Sequence, residues 1–289
     1  MLELLPQQLV NGLALGALYA LVAMGLTLVF GVLLIPNFAH GELYMLGGFI
    51  SYSLVAVGIG FWPAVLVTML AVALIGIALD WTAYKPIEQA PGLSLMISAL
   101  AASVILQQIA TIIWGTEPRT TPSPVTGVIR AGFITVSYYQ IMLFTVLIAA
   151  WLAVWYILNR TKLGLSIRAV SQNRDAAALM GIRLDRVRIA TVVLGASLGG
   201  LAGALLTASF PVYPSVGTLP ILKAFVVLVI GGIGNLWGAV IGGLLLGLSE
   251  VLVAGYISSQ LQDIGAFTIL VLILFFRPNG LFGRAEIER

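Results

Sequence analysis

RTKLGLSIRAVSQNRDAAALMGIRLDRVR occupies residues 160–188. It holds Arg160, Lys162, Arg168, Arg174, Arg183, Arg186 and Arg188, half of the 14 basic residues in a chain of 289. The rest of the chain is greasy, with 60% hydrophobic and 9% charged residues overall. An average soluble domain has about 25% charged residues, so this chain lacks the polar atoms to cover a water-facing surface. Its apolar runs are helix-sized rather than the ten-residue alternations of a barrel. The fold class that follows is all-α: a polytopic transmembrane helical bundle forming a single domain over 1–289, with 160–188 as its main polar loop. The pI near 9.3 reflects a net charge of only +3, which reads as positive-inside bias and not as nucleic-acid binding. There is no cysteine, so disulfide and thiol chemistry are excluded.

A bilayer core takes about 20 apolar residues per helix. Spans are expected near 8–34, 42–59, 62–83, 93–114, 138–158, 189–209, 218–232, 236–256 and 261–276, a count of eight or nine. The seventh is short and ends in glycine, as a broken or re-entrant helix would. Loop 160–188 and the tail with Arg277, Arg284 and Arg289 are separated by four spans, so both belong on one side, the cytoplasm. Five spans precede the loop, which puts the N-terminus outside. That start, with Glu3 and no basic residue before its apolar run, lacks the n-region of a signal peptide. Lys85 then lies inside, and the Pro- and Thr-rich segment 115–132 lies outside despite Arg119 and Arg130. Trp62, Trp81, Trp114 and Trp237 fall near span ends, where indoles favour the interface.

NFAHGELYMLGGF (37–49) can be laid on YPSVGTLPILKAF (213–225), matching Gly41 with Gly217, Leu43 with Leu219, Leu46 with Leu222 and Phe49 with Phe225. Span parity puts the two segments on opposite sides, as an inverted repeat requires.

The basic loop sets topology and touches anionic lipid, but that does not account for its middle. Asn173 is a good N-cap, Asp175 suits the first turn, and Gly181 suits the residue just past a C-terminus. Between them residues 174–180 make a helix about 10 Å long, too short to be stable in water without something to pack on. Ala176, Ala177, Leu179 and Met180 give it an apolar face, flanked by Arg174 and Arg183. Such a peg is suited to docking in a socket on another protein, and a large charged residue at Ala177 is expected to abolish that docking.

DAAALMG (175–181) resembles the cytoplasmic-loop signature of ABC-importer permeases, Glu-Ala-Ala-x-x-x-Gly, with Asp175 for Glu and without the later Ile-x-Leu-Pro. Nearly the whole chain resembles one branch, the LivH-type permeases of branched-chain amino acid importers. The matching stretches are GLALGALYALVAMGLTLVFGV (12–32), NFAHGELYMLGGF (37–49), LGLSIRAVSQNRDAAALMGI (163–182), GGIGNLWGAVIGGLLLGLSE (231–250) and FRPNGLFG (276–283). The resemblance implies a multi-pass subunit of a bacterial inner membrane that pairs with a second permease, two cytoplasmic ATPases and a periplasmic solute-binding protein. It implies a coupling helix at Asn173–Gly181 and no resident cofactor. None of the three lysines follows a glycine, so the chain has no P-loop of its own, and ATP hydrolysis would belong to partners.

Other residues keep two readings. Gly199–Gly203 and Gly243–Gly247 have the spacing of close helix packing. Gly231, Gly232, Gly234 and Asn235 read as a helix break. Asn37 and Asn235 are cap or pathway candidates, and His40 and Glu42 cap or gate candidates; one histidine without partners does not make a metal site. Lys223 and Glu250 are charges within spans at similar depth. They form an ion pair, or Lys223 snorkels to the interface. Asp80 and Asp263, at span ends, are expected to reach water. The favoured function is alternating-access passage of leucine, isoleucine or valine. Alternatives are urea, short amides or other amino acids as solutes, and a stand-alone ion-coupled transporter using Glu42, Lys223, Glu250 or Asp263. A membrane enzyme is disfavoured by the single histidine and the absence of a His-Glu-x-x-His motif.

Overall fold

Residues 16–29 are buried without a break, and a helix apolar on every side belongs at the centre of a bundle. That helix is α1 (Leu5–Leu33). A computed structural model describes residues 5–132, 134–277 and 280–282. The expectations placed on Glu3, on Arg284 and Arg289, and on part of FRPNGLFG lie outside those residues. Around α1 stand α2 (His40–Ala56), α3 (Phe61–Leu79), α4 (Gly92–Trp114), α5 (Tyr138–Arg160), α6 (Lys162–Gln172), α7 (Arg174–Leu179), α8 (Leu184–Leu206), α9 (Thr218–Gly231), α10 (Leu236–Tyr256) and α11 (Gln262–Phe276). Among the described residues, seven helical segments are long and apolar enough to cross a bilayer. The chain is a multi-pass membrane protein.

The seventh span is short and ends in glycine, as expected, while a short second span, an extra helix in the basic loop and a hairpin were not foreseen. The second span is α2, only 17 residues, and the seventh is α9, only 14. At 1.5 Å per residue these reach about 26 and 21 Å, short of a hydrocarbon core of about 30 Å. Such short helices need cover from neighbouring helices, and α2 is buried over most of its length. The basic loop contains a second helix, α6, whose Ile167 and Val170 turn inward. The segment 115–137 ends in an antiparallel hairpin, β1 (Val128–Ala131) and β2 (Ile134–Ser137), with Val128 opposite Ser137. Gln7 of α1 pins the hairpin by bonding both the carbonyl and the N–H of Thr135, at 2.9 and 2.7 Å.

The packing has an internal two-fold pattern. Helix α1 lies on α8, α9 and α10, while α8 lies on α1, α2 and α3; α2 touches α3 and α4 as α9 touches α10 and α11. Exchanging α1 with α8, α2 with α9, α3 with α10 and α4 with α11 leaves this set of neighbours unchanged. Two glycine pairs mark the crossing points. A Cβ on Gly41 would sit 2.5 Å from the Gly217 carbonyl oxygen, and one on Gly217 would sit 2.1 Å from that of Gly41. Gly25 and Gly195 meet in the same reciprocal way, at 2.6 and 2.9 Å. Of the residues aligned by the sequence match, Gly41 and Gly217 are therefore in contact, at the N-terminal ends of the two short helices. The outer face of α4 (Leu93, Ile97, Leu100, Val104, Ile112) is exposed and apolar, as a lipid-facing surface must be.

Candidate functional site

Two groups of residues stand out: a clamp at the α7 end of the bundle and a polar wall inside it. In the first, Asn173 caps α7 by accepting from the Ala176 N–H at 2.9 Å, and Gly181 turns the chain with φ +80°. The helix runs Arg174–Leu179, with Met180 at its C-cap. Its apolar residues divide. Ala177 is buried in the protein's own small core with Ile167, Val170 and Val187, whereas Leu179 and Met180 are 89% and 83% exposed. The expectation that Ala177 belongs to the docking face is corrected: it anchors the peg, and the free tip is Leu179–Met180. The reason is periodicity, since on so short a helix one residue points back to α6 and α8 while positions two and three further on point away. Arg183 precedes α8 and makes no side-chain cap bond to it, and Asp175 and Ala176 lie exposed in the first turn of α7.

Ion pairs fasten this loop to the turn between α3 and α4. The end of α3 widens into a π-helical turn, Asp80–Tyr84, and then a 3-10 turn, Lys85–Ile87. Arg188 of α8 grips Asp80 with two nitrogens, Nε at 2.8 Å and Nη2 at 2.9 Å. Its Nη1 lies 2.8 Å from Glu88, which Arg174 of α7 also contacts. Lys85 lies 3.0 Å from Asp185. Asp80 is therefore not at water, as its span-end position had suggested; its side chain is 3% exposed and that of Arg188 7%. The forked guanidinium suits such a bidentate, buried pair. The sequence placed Asp80 at a span end and Lys85, Arg174 and Arg188 among the loop charges but paired none of them, because their partners lie about a hundred positions away.

Inside the bundle, Glu42 sits in the first turn of α2, 1% exposed. Its Oε1 accepts from Gln107 Nε2 at 2.8 Å and from Ser103 Oγ at 2.9 Å. Gln107 also reaches Thr218 Oγ1 of α9, at 3.4 Å. Ser103, Gln107 and Thr111 form an i, i+4, i+8 polar stripe on an otherwise apolar α4. The i, i+4, i+8 spacing of these three polar residues puts them on one face of the helix and is visible in the sequence. The stripe continues into a cleft of about 520 Å³ lined by Gln107, Gln108, Thr111, Tyr213 and Ser215, within the size range of small-molecule sites. His40 is fully buried, with neither ring nitrogen hydrogen-bonded to a side chain among the described residues, and does not act as a cap. Nor does Asn37: it accepts from Tyr84 O–H at 2.6 Å, tying the α1–α2 loop to the π-helical turn. Asn235 does cap, accepting from the Gly238 N–H at 3.2 Å, while its amide donates to the Phe282 carbonyl.

Lys223 and Glu250 lie 2.9 Å apart, with side chains 8% and 2% exposed. Two further residues join them. Asp263 is 3.0 Å from the same ammonium, and Tyr19 O–H donates to Glu250 at 2.8 Å while accepting from Lys223 at 3.1 Å. Four helices, α1, α9, α10 and α11, meet at this knot. Asp263, expected at water, is half in it: its side chain keeps 41% exposure. Among the described residues no group of three or more His, Cys, Asp or Glu side chains is placed to hold a metal ion.

The profile described as branched-chain amino acid transport system / permease component matches residues 8–276. The chain is 35% identical to the high-affinity branched-chain amino acid transport system permease protein LivH of Escherichia coli, over 98% of this chain and 97% of that protein. The identity and coverage are the same for the corresponding permease BraD of Pseudomonas aeruginosa. A lower likeness, 27% identity over 88% of this chain and 80% of the relative, is to the ribose import permease RbsC of Haemophilus influenzae.

Proposed function

The chain belongs to the branched-chain amino acid transport permease family, and on that premise we propose that it lines half the pathway of an ATP-driven importer for leucine, isoleucine, valine or a related amino acid. The importer sits in the inner membrane. The basic α6–α7 end faces the cytoplasm and the β-hairpin end faces outward, toward the solute-binding protein. The polar cleft beside α4 is open on one side, and a second permease closes it. Two cytoplasmic ATPases supply the energy.

The observation that carries this reading is the form of α7. A six-residue helix is held by a cap and by Ala177, and its tip leaves two large apolar side chains, Leu179 and Met180, almost fully exposed among the described residues. Burying Leu179 and Met180 in an ATPase groove contributes about 1.5–3 kcal/mol each. The clamp gives the motion a route. A push on α7 is carried through Arg174–Glu88 and Arg188–Asp80 to the α3–α4 turn, and α4 carries Ser103 and Gln107 to the pathway wall. Alternating access is then a movement of α4 relative to α9.

Because the chain has no cysteine, Met180→Cys provides a single thiol for crosslinking in membranes. Adducts with a nucleotide-hydrolysing subunit are expected, together with leucine uptake into vesicles only when the ATPases are present. Uptake driven by an ion gradient without them would favour the secondary-transporter reading and end this one.

A further inference from the structure

We propose that Glu42 receives the α-ammonium group of the solute during translocation, and so restricts the pathway to solutes bearing a primary ammonium; this rests on the permease reading above. The neighbouring charges set the contrast. Asp80, Glu250 and Asp263 each face a basic side chain. Glu42 is as buried as any of them, yet faces no basic side chain among the described residues. Its Oε1 is held by two neutral donors, and among the described residues its Oε2 has no partner. Leaving a buried carboxylate half-satisfied is costly, and intramembrane ionisable groups of this kind mark solute pathways.

The surroundings suit a charge that waits for a cation. Glu42 lies in the first turn of α2, where the helix N-terminus favours a negative charge without a basic residue nearby. It is next to Gly41, at the point where α2 meets α9. This is well inside the membrane: the preceding residue, His40, packs against Gly25, about two turns from the end of α1. Gln107 bridges Glu42 and the open cleft, donating to the carboxylate on one side and lining the cleft on the other. An ammonium group brings three donors. It satisfies Oε2 and displaces the Gln107 amide from Oε1, which leaves that amide and the Thr218 hydroxyl for the carboxylate of the same amino acid. An uncharged amide or sugar cannot make this exchange. Glu42 meets the solute directly, whereas Ser103 is a positioning residue.

The competing role is purely structural, with the carboxylate only tying α2 to α4. Glu42→Gln separates the two, because the amide oxygen still accepts from Ser103 and Gln107 while the charge is gone. The assay is the assembled importer in proteoliposomes, with partner permease, ATPases and solute-binding protein, measuring leucine uptake and ATP hydrolysis together. Absence of ATP-dependent uptake by the unaltered chain would remove the permease reading itself. Given that uptake, Glu42→Gln is expected to lower it at least tenfold and to raise the ATP hydrolysed per leucine at least tenfold, with partial recovery in Glu42→Asp. Uptake within twofold of the unaltered chain overturns the proposal, as does a parallel fall of uptake and hydrolysis in the assembled complex. Should Glu42→Gln not assemble, the exchange Glu42→Gln/Gln107→Glu decides. It keeps an amide–carboxylate bond between the two helices, and uptake above a tenth of the unaltered value supports the proposal while less overturns it.

Discussion

Replacing Arg188 with methionine removes the hub of the clamp and leaves Asp80, 3% exposed, without its counter-charge. The energy of the intact pair is not the relevant quantity. Two charges taken out of water and brought together roughly break even against an apolar pair of the same size, but one of them left alone costs about 3–5 kcal/mol. Arg188→Met is therefore expected to destabilise by about 3–5 kcal/mol. Glu88 adds little to this, because its side chain is 25% exposed and keeps contact with Arg174. At about 2–3 °C per kcal/mol for a chain of this size, the apparent Tm in detergent falls by about 6–15 °C, followed by the fluorescence of the six tryptophans. The double variant Asp80→Asn/Arg188→Met removes the stranded charge and is expected to recover most of the loss, to within about 1–2 kcal/mol of the original protein. It should nevertheless couple ATP hydrolysis to uptake poorly, because the link from α8 to the α3–α4 turn is gone. A fall below 1 °C in the single variant, or a double variant as unstable as the single, would refute the buried-pair reasoning.

The same logic applies to the second knot: Lys223→Met strands Glu250 and is expected to cost about 3–5 kcal/mol, with Lys223→Met/Glu250→Gln milder because Asp263 reaches water; thermal melts of the three proteins check the order. Gly217→Ala places a methyl 2.1 Å from the Gly41 carbonyl oxygen. Forcing α2 and α9 apart is expected to cost about 1–3 kcal/mol and to reduce uptake more than it reduces the amount of folded protein, which transport and gel-filtration yield report together. Asn173→Ala removes the α7 cap, worth about 1 kcal/mol, and is expected to weaken ATPase co-purification without lowering the Tm of the isolated permease, whereas Ala177→Glu is expected to lower that Tm because the site is internal.

Several elements were legible in the sequence because their causes are local. Helix length and apolarity follow from composition over windows of about 20 residues, and the cap at Asn173 and the turn at Gly181 follow from side-chain and backbone chemistry within a few positions. The alignment of Gly41 with Gly217 was legible as a pattern, but nothing local said that the two glycines touch. The polar stripe Ser103, Gln107 and Thr111 was readable from its spacing and was overlooked, since single polar residues in an apolar span carry little weight without knowing what they face.

By itself, the sequence determined that this is a bundle of membrane helices with a capped peg in its basic loop, because burial in lipid and capping are each dictated by a residue and its near neighbours. Only the tertiary structure decided which charges are paired and which surface is free. Arg188 meets Asp80 across 108 positions and Lys223 meets Tyr19 across 204, and Ala177 is an anchor because α6 and α8 happen to pass behind it. Pairing and exposure depend on distance in space, which folding sets and chain separation does not record. That is why Glu42 became informative only once the helices around it were in place: among the described residues it faces no basic side chain, whereas Asp80, Glu250 and Asp263 each do.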